Sequence, residues 1–150
     1  MKPYPHRYIA SAAGRADGEV TIASPSLQSI ASAAPPEFDG PGGRWSPETL
    51  LTAAIADCII LTFRAIARAS HFTWQTLECR TEGMLDRVEG ATEFTSFTTV
   101  ARLTIPAEAS EQKARRLLEK AERDCLVANS LRSTRTMQIE VTHAQAAQQA

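Results

Sequence analysis

The chain has 150 residues, enough for one domain with a sizeable core, and its 43% hydrophobic and 22% charged content is ordinary for a folded protein. A formal net charge of −1 supplies no attraction for nucleic acid or for an anionic membrane surface, so neither is expected as a partner. No apolar run is read as reaching the roughly 20 residues of a membrane span, and Met1 to Arg7 holds no apolar segment with a cleavage site. A cytoplasmic location is expected, where three cysteines make a poor permanent disulfide framework.

The elements follow in order. Arg7–Ala12 and Glu19–Ile22 read as two strands, joined by a turn over Gly14–Gly18 whose glycines and Asp17 suit a hairpin. A short third strand is expected within Ser26–Ser32, and Pro35–Gly43 is a loop because neither its prolines nor its paired glycines sustain an element. Ser46-Pro47 is a helix start, a capping serine before proline at the first helical position. Apolar residues then recur at helical spacing through Leu51, Ala54, Ile55, Cys58, Leu61, Ala65, Ile66 and Ala69. This helix, Pro47 to about Ala69, is apolar on more than one side and belongs in the middle of a protein.

Two long strands, about Thr73–Asp86 and Thr92–Ile105, follow it, connected through Val88–Ala91. Phe97, Ala101, Leu103 and Ile105 share one phase and Phe94 the other, which predicts a bulge near Thr95. Ser110 caps a second helix, Glu111 to about Asp124, whose inward face carries Ala114, Leu117, Leu118, Ala121 and then Cys125. A last strand is expected over Thr136–Thr142, and the alanine- and glutamine-rich Ala144–Ala150 as a frayed end. The whole reads as a single α+β domain over 1–150, its helices against a mainly antiparallel sheet.

Cys79 lies on the apolar phase of a strand and is assigned no role beyond packing. Cys58 and Cys125 come inward from two different helices, so they are either two buried thiols or a redox pair. A reactive pair needs a cation, because a free thiol is only about 3% ionised at neutral pH and burial lowers that fraction. Asp57 cannot supply one; Arg15, on the glycine-flanked turn, and Arg44, before the helix, are the candidates.

The run Gly42-Gly43-Arg44-Trp45-Ser46-Pro47-Glu48 leading through alanines to Cys58 strongly resembles the OsmC/Ohr family, as does Cys125-Leu126-Val127-Ala128-Asn129-Ser130-Leu131. The likeness in element order and cysteine spacing extends over nearly the whole chain. It implies an OsmC-like fold and a cofactor-free and metal-free peroxidase that reduces organic hydroperoxides. Cys58 would be peroxidatic and Cys125 resolving, with Arg15 stabilising the thiolate and peroxide and Glu48 orienting the arginine. The OsmC branch carries its arginine in the pre-helix loop, nearer Arg44. The implied reductant is an external dithiol, typically a lipoyl group. One departure is Leu126, where the family usually has proline after its second cysteine.

Glu48 and Cys58 sit on one helix ten residues apart, about 15 Å along the axis and about 80° around it, so Glu48 cannot reach that sulfur. An intertwined homodimer is therefore expected, in which Glu48 serves the partner's Cys58. Readings from other classes are a non-catalytic relative binding a small apolar ligand and a cysteine hydrolase using His6, His71 or His143. No Cys-x-x-Cys or His pair stands at zinc-ligand spacing.

Overall fold

The computed structural model describes residues 1–145; residues 146–150 of the expected frayed tail lie outside the described residues. The described chain forms two compact units, Met1–Leu50 and Leu51–Ala150.

The first unit holds a three-stranded antiparallel meander, β1 (Ser11–Ala13), β2 (Val20–Ala23) and β3 (Ile30–Ser32). The strands are shorter than their sequence phases, because β2 offers partners to only a few residues on each side. A 3-10 turn, Pro36–Phe38, occupies part of the expected loop. Beyond it Ala33 donates its amide to the Trp45 carbonyl at 3.0 Å. At the helix start, the Thr49 amide donates to Ser46 Oγ at 3.2 Å and the Ser46 amide to Thr49 Oγ1 at 2.9 Å. This is a reciprocal cap in which Thr49 takes the place usually held by glutamate or glutamine.

The capped helix, α1, runs Pro47–Ala69 as expected. Its burial departs from expectation. Ile55, Cys58, Ile59, Phe63 and Ala67 form one buried stripe, whereas Leu61 is 50% exposed and Ala65 is exposed. A single chain has only enough sheet and helix to cover one side of it. By length and composition α1 is also long and apolar enough to cross a membrane, which corrects the expectation that no such run exists. Its buried stripe is nevertheless that of a core helix, since Phe63 and Ala67 pack with strand and helix residues of the same domain.

The second sheet has the order β4 (Thr76–Val88), β5 (Ala91–Ile105), β6 (Thr134–His143). A two-residue turn, Glu89-Gly90, joins β4 to β5, both residues in the left-handed region with φ of 49° and 86°. The expected bulge is at Thr95: Met84 pairs with Ser96 and Leu85 with Phe94, leaving Thr95 as the extra residue. Its hydroxyl donates to the Met84 carbonyl at 3.2 Å. The bulge changes the phase of Phe94, which stacks on Phe97 with ring centroids 4.9 Å apart.

Between β5 and β6 the chain crosses over through α2 (Glu111–Arg123) and the short α3 (Leu126–Asn129), so β6 lies parallel to β5. The second sheet is therefore mixed, and the pairings among the described strands are mainly antiparallel as expected, three of the four running that way. A crossover helix returns the chain to the starting end of β5, which a tight turn cannot do. The Ser110 hydroxyl caps α2 by accepting from the Lys113 amide at 3.1 Å.

The Phe94–Phe97 stack imposes a testable requirement on β4. A Cβ at Gly83 would stand 2.7 Å from Phe97 and 2.8 Å from Phe94. Gly83→Ala is expected to destabilise the protein by about 1–3 kcal/mol, read as a lower urea midpoint at constant slope.

Candidate active site

Two apolar clusters line the core of the second unit. One joins Phe63 and Ala67 of α1 to Leu103 and Ile105 of β5 and to Ala114, Leu118 and Ala121 of α2. The other gathers Ile55, Cys58 and Ile59 of α1, Phe97 of β5, Cys125 and Ala128. Cys58 and Cys125 thus meet at one point, with the half-buried Cys79 packed against them, because α2 starts beside the end of β5 and delivers the chain back to its beginning. Cys125 lies just beyond α2, with its amide donating to the Glu122 carbonyl at 3.2 Å. It serves as the N-cap residue of α3 and has no exposed surface, while Cys58 is 9% exposed.

The two thiols, both free, are not equivalent. Burial pushes the Cys125 thiol up to about 11, and its S–H bond to the Cys58 sulfur adds to the effect; the amides of Ala128 and Val127, at the start of α3, oppose it. Cys125 therefore keeps its proton through the neutral range. The Cys58 sulfur also lies 3.9 Å from the Thr62 hydroxyl, one turn on along α1. Cys79 is half-buried on the core face of β4, and burial first, then Glu78, pushes its thiol to about 11, consistent with a packing role alone.

Arg15, Arg44 and Glu48 lie in the first unit. Arg15 is exposed on the turn between β1 and β2. Arg44 is ion-paired with Glu19 and donates to the Gly43 carbonyl at 3.0 Å. Glu48 is half-buried in the first turn of α1. A recess of ≈ 360 Å³ lined by Ala31, Gly43, Arg44, Trp45 and Thr49 belongs to the same unit. His71 occupies the turn after α1, exposed and with φ of 49°.

Sequence reasoning missed two features. Thr62 was detectable by its spacing, four residues from Cys58 on one helix. The other is a half-buried ion pair of Arg135 on β6 with Glu122 on α2, at 3.4 Å, which ties the end of α2 to the sheet just before Cys125. A long separation in sequence hid it.

The family model described as OsmC-like protein matches residues 40–140. The chain belongs to the OsmC-like family. Within the family's reach, the uncharacterized protein YmaD of Bacillus subtilis is 27% identical over 111 residues, covering 72% of this chain and 74% of that one. An OsmC-like protein of unknown function from Vibrio cholerae shares the fold with a TM-score of 0.82 at 17% identity, over 90% of this chain and 99% of its own. A Legionella pneumophila structure, described as an organic hydroperoxide resistance protein OsmC, matches with a TM-score of 0.71 at 24% identity, over 93% and 99%. At these identities the solved structures establish the shared fold.

Leu126, the departure from the OsmC/Ohr pattern, is the first residue of α3 and is 69% exposed. At that position proline's fixed φ is compatible with the helix and its missing amide proton is one the helix does not use. Leu126→Pro is accordingly expected to leave the melting temperature within a few degrees of the parent, and thiol oxidation kinetics unchanged. A large loss of stability on thermal unfolding would show that Leu126 packs against something the single chain does not contain.

Proposed function

We propose that this protein is a thiol-dependent peroxidase that reduces organic hydroperoxides to alcohols through Cys58 and Cys125. The observation that carries the reading is the meeting of these two free thiols in one buried apolar cluster. Membership of the OsmC-like family and likeness to structures described as organic hydroperoxide resistance proteins support it.

In this scheme the Cys58 thiolate attacks one peroxide oxygen, the O–O bond breaks, and the departing alkoxide takes a proton to leave as the alcohol. Cys58 becomes a sulfenic acid. The Cys125 sulfur then attacks the Cys58 sulfur, the S–O bond breaks, and the hydroxyl leaves with the Cys125 proton as water. A dithiol, proposed to be a lipoyl group, returns the disulfide to two thiols by exchange and is itself oxidised to a disulfide. The apolar wall made by Ile55, Ile59 and Phe97 suits an alkyl chain better than a small, strongly hydrated peroxide.

A cation is needed beside the thiolate and the peroxide. Arg15 fits better than Arg44, because Arg44 is already neutralised by Glu19. Glu48 is assigned the role of orienting that guanidinium, from a second copy of the chain. Several surfaces support a homodimer. Leu61 of α1 is half-exposed, and Tyr8, Ile9, Leu27, Phe38 and Trp45 of the first unit are at least 50% exposed. β4 and β6 are long strands, each with one edge unpaired among the described strands.

The peroxidase reading is tested by substitution. Cys58→Ser is expected to abolish reduction of cumene hydroperoxide with dihydrolipoamide while leaving the melting temperature nearly unchanged. Cys125→Ser is expected to permit one oxidation and then gain two oxygens at Cys58 by mass. Turnover retained in the first variant, or a stable thiol in the second under excess hydroperoxide, overturns the assignment.

The shared site has its own test. Inactive Glu48→Ala and Cys58→Ser chains, mixed by mild unfolding and refolding, are expected to recover part of the activity through mixed dimers holding one complete site. A monomeric mass in solution, or no recovery despite demonstrated mixing, removes Glu48 from the partner's site.

A further inference from the structure

We infer that Thr62 is a further catalytic residue, its hydroxyl being the donor that α1 itself provides to the Cys58 sulfur. The inference deepens the peroxidase reading, and it rests on that reading for its consequence but not for its test.

The helix dictates the placement. Four residues span one turn, so Thr62 stands directly above Cys58 on the same side of α1. Each Cα–Cβ bond in an α-helix tilts toward the N-terminus, so the short threonine side chain leans toward Cys58 and away from Phe63 and Ile66 beyond it. The result is the 3.9 Å separation of Thr62 Oγ1 from Cys58 Sγ. That is long for a bond between neutral groups. A negative charge on sulfur tightens such a contact, and catalytic hydrogen bonds are commonly loose before the reacting state forms.

The surroundings make this hydroxyl matter. The cluster holding Cys58 is otherwise built of Ile55, Ile59, Phe97 and Ala128, and of the side chains packed against it only the weakly donating Cys79 thiol can give a hydrogen bond. Cys125 does donate, yet a thiol is a weak donor and its proton leaves with water when the disulfide closes. Thr62 loses nothing during the cycle. It is half-buried, so water competes only partly for its proton. A thiolate among apolar walls is costly without such a donor, and a hydrogen bond to the charged form favours that form.

Besides Cys125, the elements around the cluster carry Cys79, Glu78, Arg80, Glu82, Asp86 and Arg87 of β4, Glu93 and Arg102 of β5, Arg135, Glu140 and His143 of β6, and Glu48, Asp57, Arg64 and Arg68 of α1, with Glu122 and Arg132 paired to Arg135 and Glu93. A substitution at position 62 changes none of them, so a shift in Cys58 ionisation on changing Thr62 belongs to the hydroxyl.

The experiment follows the rate of iodoacetamide addition at Cys58 against pH, read by mass spectrometry on the full-length protein, for the parent, Thr62→Val and Thr62→Ser. Thr62→Val keeps the shape and removes the donor. It is expected to raise the midpoint by about half to one pH unit and to slow alkylation at neutral pH about three- to ten-fold, while Thr62→Ser returns both to the parent values. An unchanged midpoint in Thr62→Val overturns the inference, as does an equal shift in Thr62→Ser. A packing role alone would change the melting temperature and leave the midpoint in place. If Thr62→Val does not fold, Thr62→Ala replaces it, and a parental midpoint there overturns the inference equally. Alkylation involves no peroxide, so the inference stands or falls separately from hydroperoxide turnover.

Discussion

The parallel return of β6 beside β5 is the constraint on which the site depends. β5 ends at Ile105 and β6 begins opposite Ser96, so the chain must travel back along most of a ten-residue pairing before it can re-enter the sheet. At about 3.3 Å per residue that is roughly 33 Å. The thirteen residues of α2 cover about 20 Å of it, and the segments on either side complete the return. Because α2 must lie on the sheet, its apolar stripe of Ala114, Leu118 and Ala121 packs against Leu103 and Ile105, and its far end arrives at Phe97. Cys125 is the residue at that arrival. The Arg135–Glu122 ion pair holds the same corner from the strand side.

The meeting of two thirds of the cysteines in one apolar cluster has a chemical consequence that sequence proximity does not give. Burial favours the neutral form of the Cys125 thiol, which shares its cluster with the Cys58 sulfur. Cys125 is fully enclosed while Cys58 keeps a small exposed surface, which fits the proposed division of labour between an attacking and a resolving sulfur. The same packing leaves α1 covered on one side. A helix with Leu61 half in solvent, in a chain whose first fifty residues bury little beyond Ala33, Ser32 and Ser46, has apolar surface to spare. The homodimer proposed above would cover it with the same surplus.

Much of the fold was legible because its signals are local. The Ser46-Pro47 start of α1, the Ser110 cap of α2 and the Glu89-Gly90 turn depend on residues within a few positions of each other, and all were found where the side chains put them. The bulge at Thr95 was readable because Phe94 and Phe97 fall out of phase on one strand. What was not legible was non-local. The direction of β6 relative to β5 depends on how far α2 carries the chain, and the Arg135–Glu122 pair joins residues on different elements. One local feature, Thr62 above Cys58, was also passed over. Its spacing was visible, but hydroxyls at helical positions normally bond their own backbone or water.

By itself the sequence determined the elements, the helix caps, the resemblance to the OsmC/Ohr family and the identity of the two cysteines, because each rests on local residue chemistry or on a motif. Only the tertiary structure decided that Cys58 and Cys125 share one apolar cluster, that burial raises the Cys125 thiol, and that α1 buries a single stripe. Those outcomes depend on burial and on neighbours brought from other elements, and a thiol's ionisation responds to surroundings that no linear spacing specifies.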